Sequence, residues 1–214
     1  MVRKYIYIMG RIKGIYMTQK LSLYILIFII GVPLCFSQEA PQKSPETTEG
    51  WNGNINLILG TKVLNEDDWA PQFQHKLAAY SVDFGKASWK YGIVFSGFLS
   101  TDELVTSGVT SEITTEEIRF GLIRTWRPSH TFRLFFAGGA TGIKAKIETT
   151  TEGVTTLVDD EGNGYFLSSG FYWTIYGSLN LGLLFDVSSG KVTLNGSEQN
   201  AGGSNGGIIL GYHW

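Results

Sequence analysis

Residues 205–214 read Asn205-Gly-Gly-Ile-Ile-Leu-Gly-Tyr-His-Trp214. Steps of two back from Trp214 meet Tyr212, Leu210, Ile208 and Gly206, while His213, Gly211, Ile209, Gly207 and Asn205 fall on the other face. That is the period of a β-strand, whose successive side chains point to opposite faces. The strand runs to the last residue and ends on a large ring. Terminal residues of a water-soluble domain fray, and such a ring would then sit in water. The pattern predicts instead a final strand held by a neighbour, with its ring in an apolar setting.

Further back, the chain repeats the same alternation in segments of about ten residues, with no convincing helix of ordinary length. In 51–63, Trp51, Gly53, Ile55, Leu57, Leu59, Thr61 and Val63 oppose Asn52, Asn54, Asn56, Ile58, Gly60 and Lys62. Segment 76–84 sets Tyr80, Val82 and Phe84 against Leu77, Ala79, Ser81 and Asp83, and 89–99 sets Trp89, Tyr91, Ile93 and Phe95 against Lys90, Gly92, Val94 and Ser96. Segments 116–126, 165–173 and 179–187 alternate likewise, with Glu117, Arg119, Asn180 and Asp186 on the faces opposite the aromatics and leucines. From Phe132 onward Arg133 opposes Leu134 and Phe136, but beyond Gly138-Gly139 the apolar phase moves to Ile143, Ala145 and Ile147. A one-residue β-bulge at the glycine pair would produce that change of phase.

Eight strands result, and their connections alternate in length. Residues 85–88, 127–131 and 175–178 are short, whereas 64–75, 100–115, 148–164 and 188–204 are long and polar. Eight aromatics at segment ends, namely Trp51, Phe84, Trp89, Trp126, Phe132, Trp173, Tyr212 and Trp214, fall at the short-turn end. A soluble barrel has no reason to collect its tryptophans at one rim. The apolar face carries the bulky rings, which would overfill the narrow interior of an eight-stranded barrel, so this face is expected outward and the polar face inward. Only hydrocarbon accommodates such a surface, and hydrocarbon also demands a sheet with no open edge. The fold class expected is all-β: an eight-stranded antiparallel up-and-down transmembrane β-barrel, with its short turns and aromatic girdle on the periplasmic side and its longer loops outside.

These features resemble the small bacterial outer-membrane β-barrels of the OmpA/OmpX/OmpW general type. The resemblance covers 51–214 as architecture, and its most specific element is the terminal GGIILGYHW. Segments NLILGTKVLNEDDWAP and SVDFGKASWKYGIVFSGFLS are similar to a group of predicted outer-membrane barrels. The resemblance implies a fold and a location in the bacterial outer membrane. It implies as partners the membrane's lipid and lipopolysaccharide, and the barrel-assembly machinery, which would read the C-terminal strand.

The amino terminus is consistent with export. Residues 21–34 (LSLYILIFIIGVPL) form an apolar run of signal-peptide length, ~7–15 residues, short of the ~20 that a spanning helix needs. Cys35 and Ser37 have the spacing of a signal-peptidase site, so 1–37 is expected to be a signal peptide, with Met17 as an alternative start. Lipidation at Cys35 is the rival reading, disfavoured by the bulk of Leu34, and a retained anchor is a third. Residues 38–50 (QEAPQKSPETTEG) are expected to be a disordered lead-in. Removing 1–37 removes the chain's single cysteine, and with it any disulfide or thiolate site. A formal charge of −2 without a basic patch argues against nucleic acid.

No catalytic constellation stands out. Residues 51–214 offer His75, His130 and His213. Outer-membrane lipid A deacylases carry a His two residues before a Ser on the seventh strand, and here Asp186 precedes Ser188. Asn65-Glu66-Asp67-Asp68 and Asp159-Asp160-Glu161 could offer oxygen ligands to calcium, but neither has the twelve-residue EF-hand pattern, and acidic tips usually just solvate. No metal or cofactor is expected. Asp83, Lys90, Glu117, Arg119, Arg133 and Asp186 form a candidate polar network in the lumen. It reads either as a gate or as a plug of mutually paired ions, and buried charges must be paired in both cases. Two functions follow: a structural or surface-interaction barrel with a filled lumen, or a barrel passing small or apolar solutes.

Overall fold

The computed structural model describes residues 50–214; the expected signal peptide and all but the last residue of the lead-in lie outside the described residues. Among the described residues nine strands form: β1 (Trp51–Val63), β2 (Gln74–Lys86), β3 (Gly92–Thr106), β4 (Val109–Trp126), β5 (Phe132–Thr151), β6 (Val154–Tyr176), β7 (Leu179–Leu194), β8 (Ser197–Asn200) and β9 (Gly203–His213). One short helix, α1 (Glu66–Trp69), sits between β1 and β2. Neighbours pair antiparallel in chain order to β7, then β7 pairs β9 and β9 pairs β1, which closes a ring of eight. The ninth strand, β8, lies outside this ring and folds back on the outer end of β7.

The structure corrects the long loops. Segments 100–115, 148–164 and 188–204 are largely strand. β3–β4 and β5–β6 turn at Ser107-Gly108 and Glu152-Gly153, with φ of 50° and 83° in each, and β7–β8 turns at Asn195-Gly196 with 53° and 78°. Two successive left-handed residues make the two-residue turn whose twist matches antiparallel strands. The dipeptides Ser-Gly, Glu-Gly and Asn-Gly were the signal for it.

The bulge expected at Gly138-Gly139 is absent. β5 pairs in unbroken register with β4 and β6 through both glycines. The phase changes because the surroundings change. Lower on β5, Leu134 and Phe136 point out and are exposed; higher up, Ile143 and Ala145 point in and are buried, while Lys144 and Lys146 point out. On β4 the outward row likewise passes from Leu122, Phe120 and Ile118 to Glu116. On β7 it passes from Leu183, Phe185 and Val187 to Lys191, with Val192 and Leu194 turned in. The barrel thus has two tiers of opposite polarity. The lower is apolar outside, and the upper has the oil-inside order of a water-soluble barrel.

Each tier has a reason. Leu59, Tyr80, Phe95, Ile118, Phe120, Leu167, Phe185, Ile208 and Leu210 are all exposed and surround the lower tier. Contiguous apolar surface on that scale marks contact with hydrocarbon. The upper tier instead encloses Leu64, Trp69, Ile113, Ile143, Ala145, Val192, Leu194 and Ala201, all buried together, with Phe73 packed against them.

Candidate functional site

Alternation decides which side chains enter the lumen. Glu117 and Arg119, two apart on β4, both point in, as do Lys62 on β1 and Asp186 on β7. These four meet across the barrel. Lys62 Nζ lies 2.7 Å from Glu117 Oε1, Arg119 Nη2 lies 2.7 Å from Glu117 Oε2, and Arg119 Nη1 lies 2.7 Å from Asp186 Oδ2. Ser188 donates to Glu117 at 3.1 Å, Ser168 and Asn205 donate to Asp186, and Lys62 also donates to Thr115 at 2.8 Å. Arg119 stacks 3.7 Å from the Phe98 ring centre. Two cations and two anions leave the quartet formally neutral, with every carboxylate oxygen engaged, as buried charges require.

The other members of the expected network are placed differently. Asp83 lies nearer the short-turn end, where Asn54 Nδ2 donates to both its oxygens (3.0 and 3.2 Å) and to Tyr172 Oη at 2.9 Å. Asn180 donates to Asn54 at 3.3 Å, and Nδ1 of His213 stands 3.0 Å from Asn180 Oδ1. Arg133 is buried beside this group, its guanidinium 5.8 Å from the Tyr172 ring. Lys90 does not enter the lumen. β3 starts only at Gly92, so Lys90 lies exposed in the preceding turn, 5.8 Å from the Tyr91 ring. The alternation had been carried one turn too far.

Between the two polar groups lie Ile58, Phe98, Phe135, Phe166, Leu184 and Ile209. The lumen therefore holds more aromatic volume than the sequence reading allowed, because glycines on facing strands leave room for the rings. A cavity of about 40 Å³ remains there, bordered by Asn56, Asp83 and Ser96. That is room for a small number of water molecules, each needing roughly 10–15 Å³ of such space.

The sequence reading missed the upper seal. After β1 the chain turns inward through α1, whose Asn65 caps it by accepting from Asp67 N at 3.3 Å. Trp69 plugs the mouth, donating from Nε1 to Asn200 O at 2.8 Å, while Asp68 accepts from Asn200 N at 3.2 Å. Lys62 reaches the adjacent Ala201 carbonyl at 2.9 Å, so seal and quartet share a segment. His75 Nδ1 lies 3.1 Å from Ser100 Oγ, and Nε2 lies 3.2 Å from Gln72 O. Burial holds this imidazole below its ordinary range. Both His75 and Ser100 are 1% exposed, so the pair has no access for a substrate.

All eight girdle aromatics stand at or near strand ends on the short-turn side. Trp51 packs 5.6 Å from Trp89 and 6.1 Å from Phe84, and Phe132 packs 5.1 Å from Trp173. Lys86 lies 5.9 Å from the Trp51 ring and Arg124 lies 4.8 Å from that of Trp126. The opposite rim is acidic. Over 64–76, 101–116, 144–163 and 189–204, thirteen carboxylates face four lysines, a formal charge of −9. Lys144 donates to Glu161 and Asp159, and Lys191 to Glu198, which raises both ammonium groups above their ordinary range.

Solved structures share this ring. The attachment invasion locus protein Ail of Yersinia pestis, in complex with the heparin analogue sucrose octasulfate, aligns over 77% of this chain and 99% of its own, at 13% identity and a TM-score of 0.50. Neisserial surface protein A aligns over 76% and 95%, at 8% identity and 0.52. The fold is that of the small outer-membrane barrels. Its exposed apolar belt suits such a barrel to the hydrocarbon core of a bilayer. The sequence matches no family model and no curated protein.

Proposed function

We propose that this outer-membrane barrel serves as a sealed platform, acting through its upper tier as a structural or surface-interaction module. The observation that carries the reading is the Lys62–Glu117–Arg119–Asp186 quartet spanning the lumen beneath the Trp69 plug. A path for solutes would have to break both. Planar-bilayer recordings of the refolded barrel test it: silence is expected, and steps of steady conductance would favour the transport reading instead.

The same reading takes 1–37 as a cleaved signal peptide, 38–50 as a lead-in, and the terminal strand as the segment that assembly machinery engages. The girdle aromatics, with Lys86, Lys90 and Arg124 beside them, suit the phosphate level of the inner leaflet, where rings and cations both anchor. Catalysis is not part of the reading, since the Ser100–His75 pair is enclosed. The rim's charge also opposes a sulfated sugar of the kind bound to Ail, because like charges repel polyanions.

A further inference from the structure

On one arc of the short-turn rim, cations and rings alternate. Lys86 on β2 and Arg124 on β4 have outward parity, below the lipid-facing columns of Val82 and Phe84 and of Phe120 and Leu122. Lys90 lies in the turn between β2 and β3. Lys86 stands 5.9 Å from the Trp51 ring and 6.0 Å from that of Trp89. Trp89 N donates to Lys86 O at 2.9 Å, which folds the turn back and sets Trp89 against Trp51. Lys90 stands 5.8 Å and Arg124 5.7 Å from the Tyr91 ring, and Arg124 lies 4.8 Å from that of Trp126. Three cations are interleaved with four rings from β1 to β4.

Among the described residues this arc has no acidic side chain. No aspartate or glutamate occurs in 50–65, 84–101 or 118–147. Asp83 is near in sequence but points into the lumen and accepts from Asn54. The upper-tier lysines differ: Lys144, Lys146 and Lys191 each meet a glutamate, at 2.7, 2.9 and 2.6 Å. A ring attracts a cation through its quadrupole and brings no net charge, so the three charges of the arc stay uncancelled. They are also one-sided. Across the ring Phe132, Phe171 and Trp173 pack on one another, and 162–190 and 203–214 hold no lysine or arginine.

Anchoring alone would be served by cations all round the rim. A cluster confined to one arc suits a particular headgroup. A zwitterionic headgroup brings an ammonium besides its phosphate. Here that ammonium would meet no acidic side chain, and the ring faces it could use are held by Lys86, Lys90 and Arg124. A headgroup of phosphate and hydroxyls has no such conflict.

We propose that this arc selects an anionic glycerophospholipid of the phosphatidylglycerol type from the leaflet on the short-turn side. Its phosphate sits among Lys86, Lys90 and Arg124. Its acyl chains run over Phe84, Ile93 and Leu122, which form one cross-strand row just above. The Lys86 and Arg124 columns are two strand spacings apart, ~10 Å, which two long side chains and one headgroup bridge. The proposal rests on the reading that this rim lies at the phosphate level, and adds which lipid it holds and where.

The test uses the full barrel in phosphatidylcholine nanodiscs. Phosphatidylglycerol or phosphatidylethanolamine is added, each with a photoreactive group on the acyl chain next to the glycerol. Phosphatidylglycerol is expected to label 84–93 and 120–126 about tenfold more than 171–181, and phosphatidylethanolamine to label both regions alike. K86Q/K90Q/R124Q should abolish the preference at unchanged heat-dependent gel mobility. K90Q alone, which alters only an exposed turn, should weaken it about fivefold. Even labelling by phosphatidylglycerol, or a preference that both variants keep, overturns the proposal. So does loss of the preference in millimolar inorganic phosphate, which would make the arc a free-anion site. Even labelling by both lipids sinks the selection alone, whereas no labelling of the rim by either lipid would sink the phosphate-level reading itself.

Discussion

The ring of Trp214 occupies the place that a side chain at residue 53 would fill. Gly53 N donates to Trp214 O at 3.3 Å and Trp214 N to Gly53 O at 3.2 Å, while a Cβ on Gly53 would strike the indole. The last residue is thus clamped against the first turn of β1 as well as paired along β9. Deleting 212–214 removes this clamp and two rings, and exposes backbone to hydrocarbon at several kcal/mol per group. Expression of the truncation in a Gram-negative host should give degradation or periplasmic stalling. Normal outer-membrane yield would show that the clamp does not govern assembly. Gly53→Val should lower the refolded, heat-shiftable fraction without shortening the chain.

Leu183→Arg places a cation on the belt, and should cost ~2–4 kcal/mol. Thr193→Arg, on the same face of β7 but beside Lys191 in the upper tier, should be tolerated. Urea titrations in lipid vesicles compare them, and equal tolerance would refute the inversion of polarity. Asn180→Ala, on the lumen face of the same strand, should destabilise as well, because Asn180 is fully buried and bonded to Asn54, Thr174 and His213.

Arg119→Ala leaves Glu117 and Asp186 partly uncompensated. Losing one partner of a buried ion pair costs on the order of 3–5 kcal/mol. Stability should fall without a current appearing. Rising conductance at unchanged stability would instead identify Arg119 as a gate.

Trp69→Ala should loosen the upper seal by on the order of 3–5 kcal/mol, while the belt and its ladders stay intact. Amide exchange should quicken at Asn200 and Ala201, which the plug and Lys62 hold. Faster exchange throughout β7 and β9 would mean the tiers unfold together.

Acid should weaken the same region through His75. Its folded imidazole titrates below the ordinary value of 6.5. The unfolded chain therefore takes up a proton first. The contribution is fully present above about pH 6.5 and is lost as pH falls toward the depressed value, by at most about 1.4 kcal/mol per pH unit. Unfolding of the wild type and His75→Gln between pH 8 and 5 reads the difference, which should shrink in acid. A parallel pair of curves would remove His75 as the cause.

The ring was legible because lipid enforces one rule on every strand it touches. The aromatic ends and the inward parity of Asp83, Glu117, Arg119, Arg133 and Asp186 follow from counting by twos. Lys62 shows that parity too, in phase with Asn54 and Asn56, yet nothing local tells that it faces Glu117, 55 residues away. The upper tier was harder to read, since the alternation reverses where the strands leave hydrocarbon, and a reversed phase resembles a loop or a bulge. Trp69 was hidden for a related reason: it is buried from a four-residue helix, too short to have a period.

The tips of the β3–β4 and β5–β6 hairpins read Thr-Ser-Gly-Val-Thr at 106–110 and Thr-Glu-Gly-Val-Thr at 151–155, with the same pair of turn angles. They are interchangeable parts. From Lys144 to the turn at Glu152, eight residues at ~3.3 Å each lift the tip as much as ~25 Å above the belt along the strand. Foreign sequence spliced between Glu152 and Gly153 would ride on this mast without disturbing the ring below, which makes the barrel a display scaffold with two matched sockets.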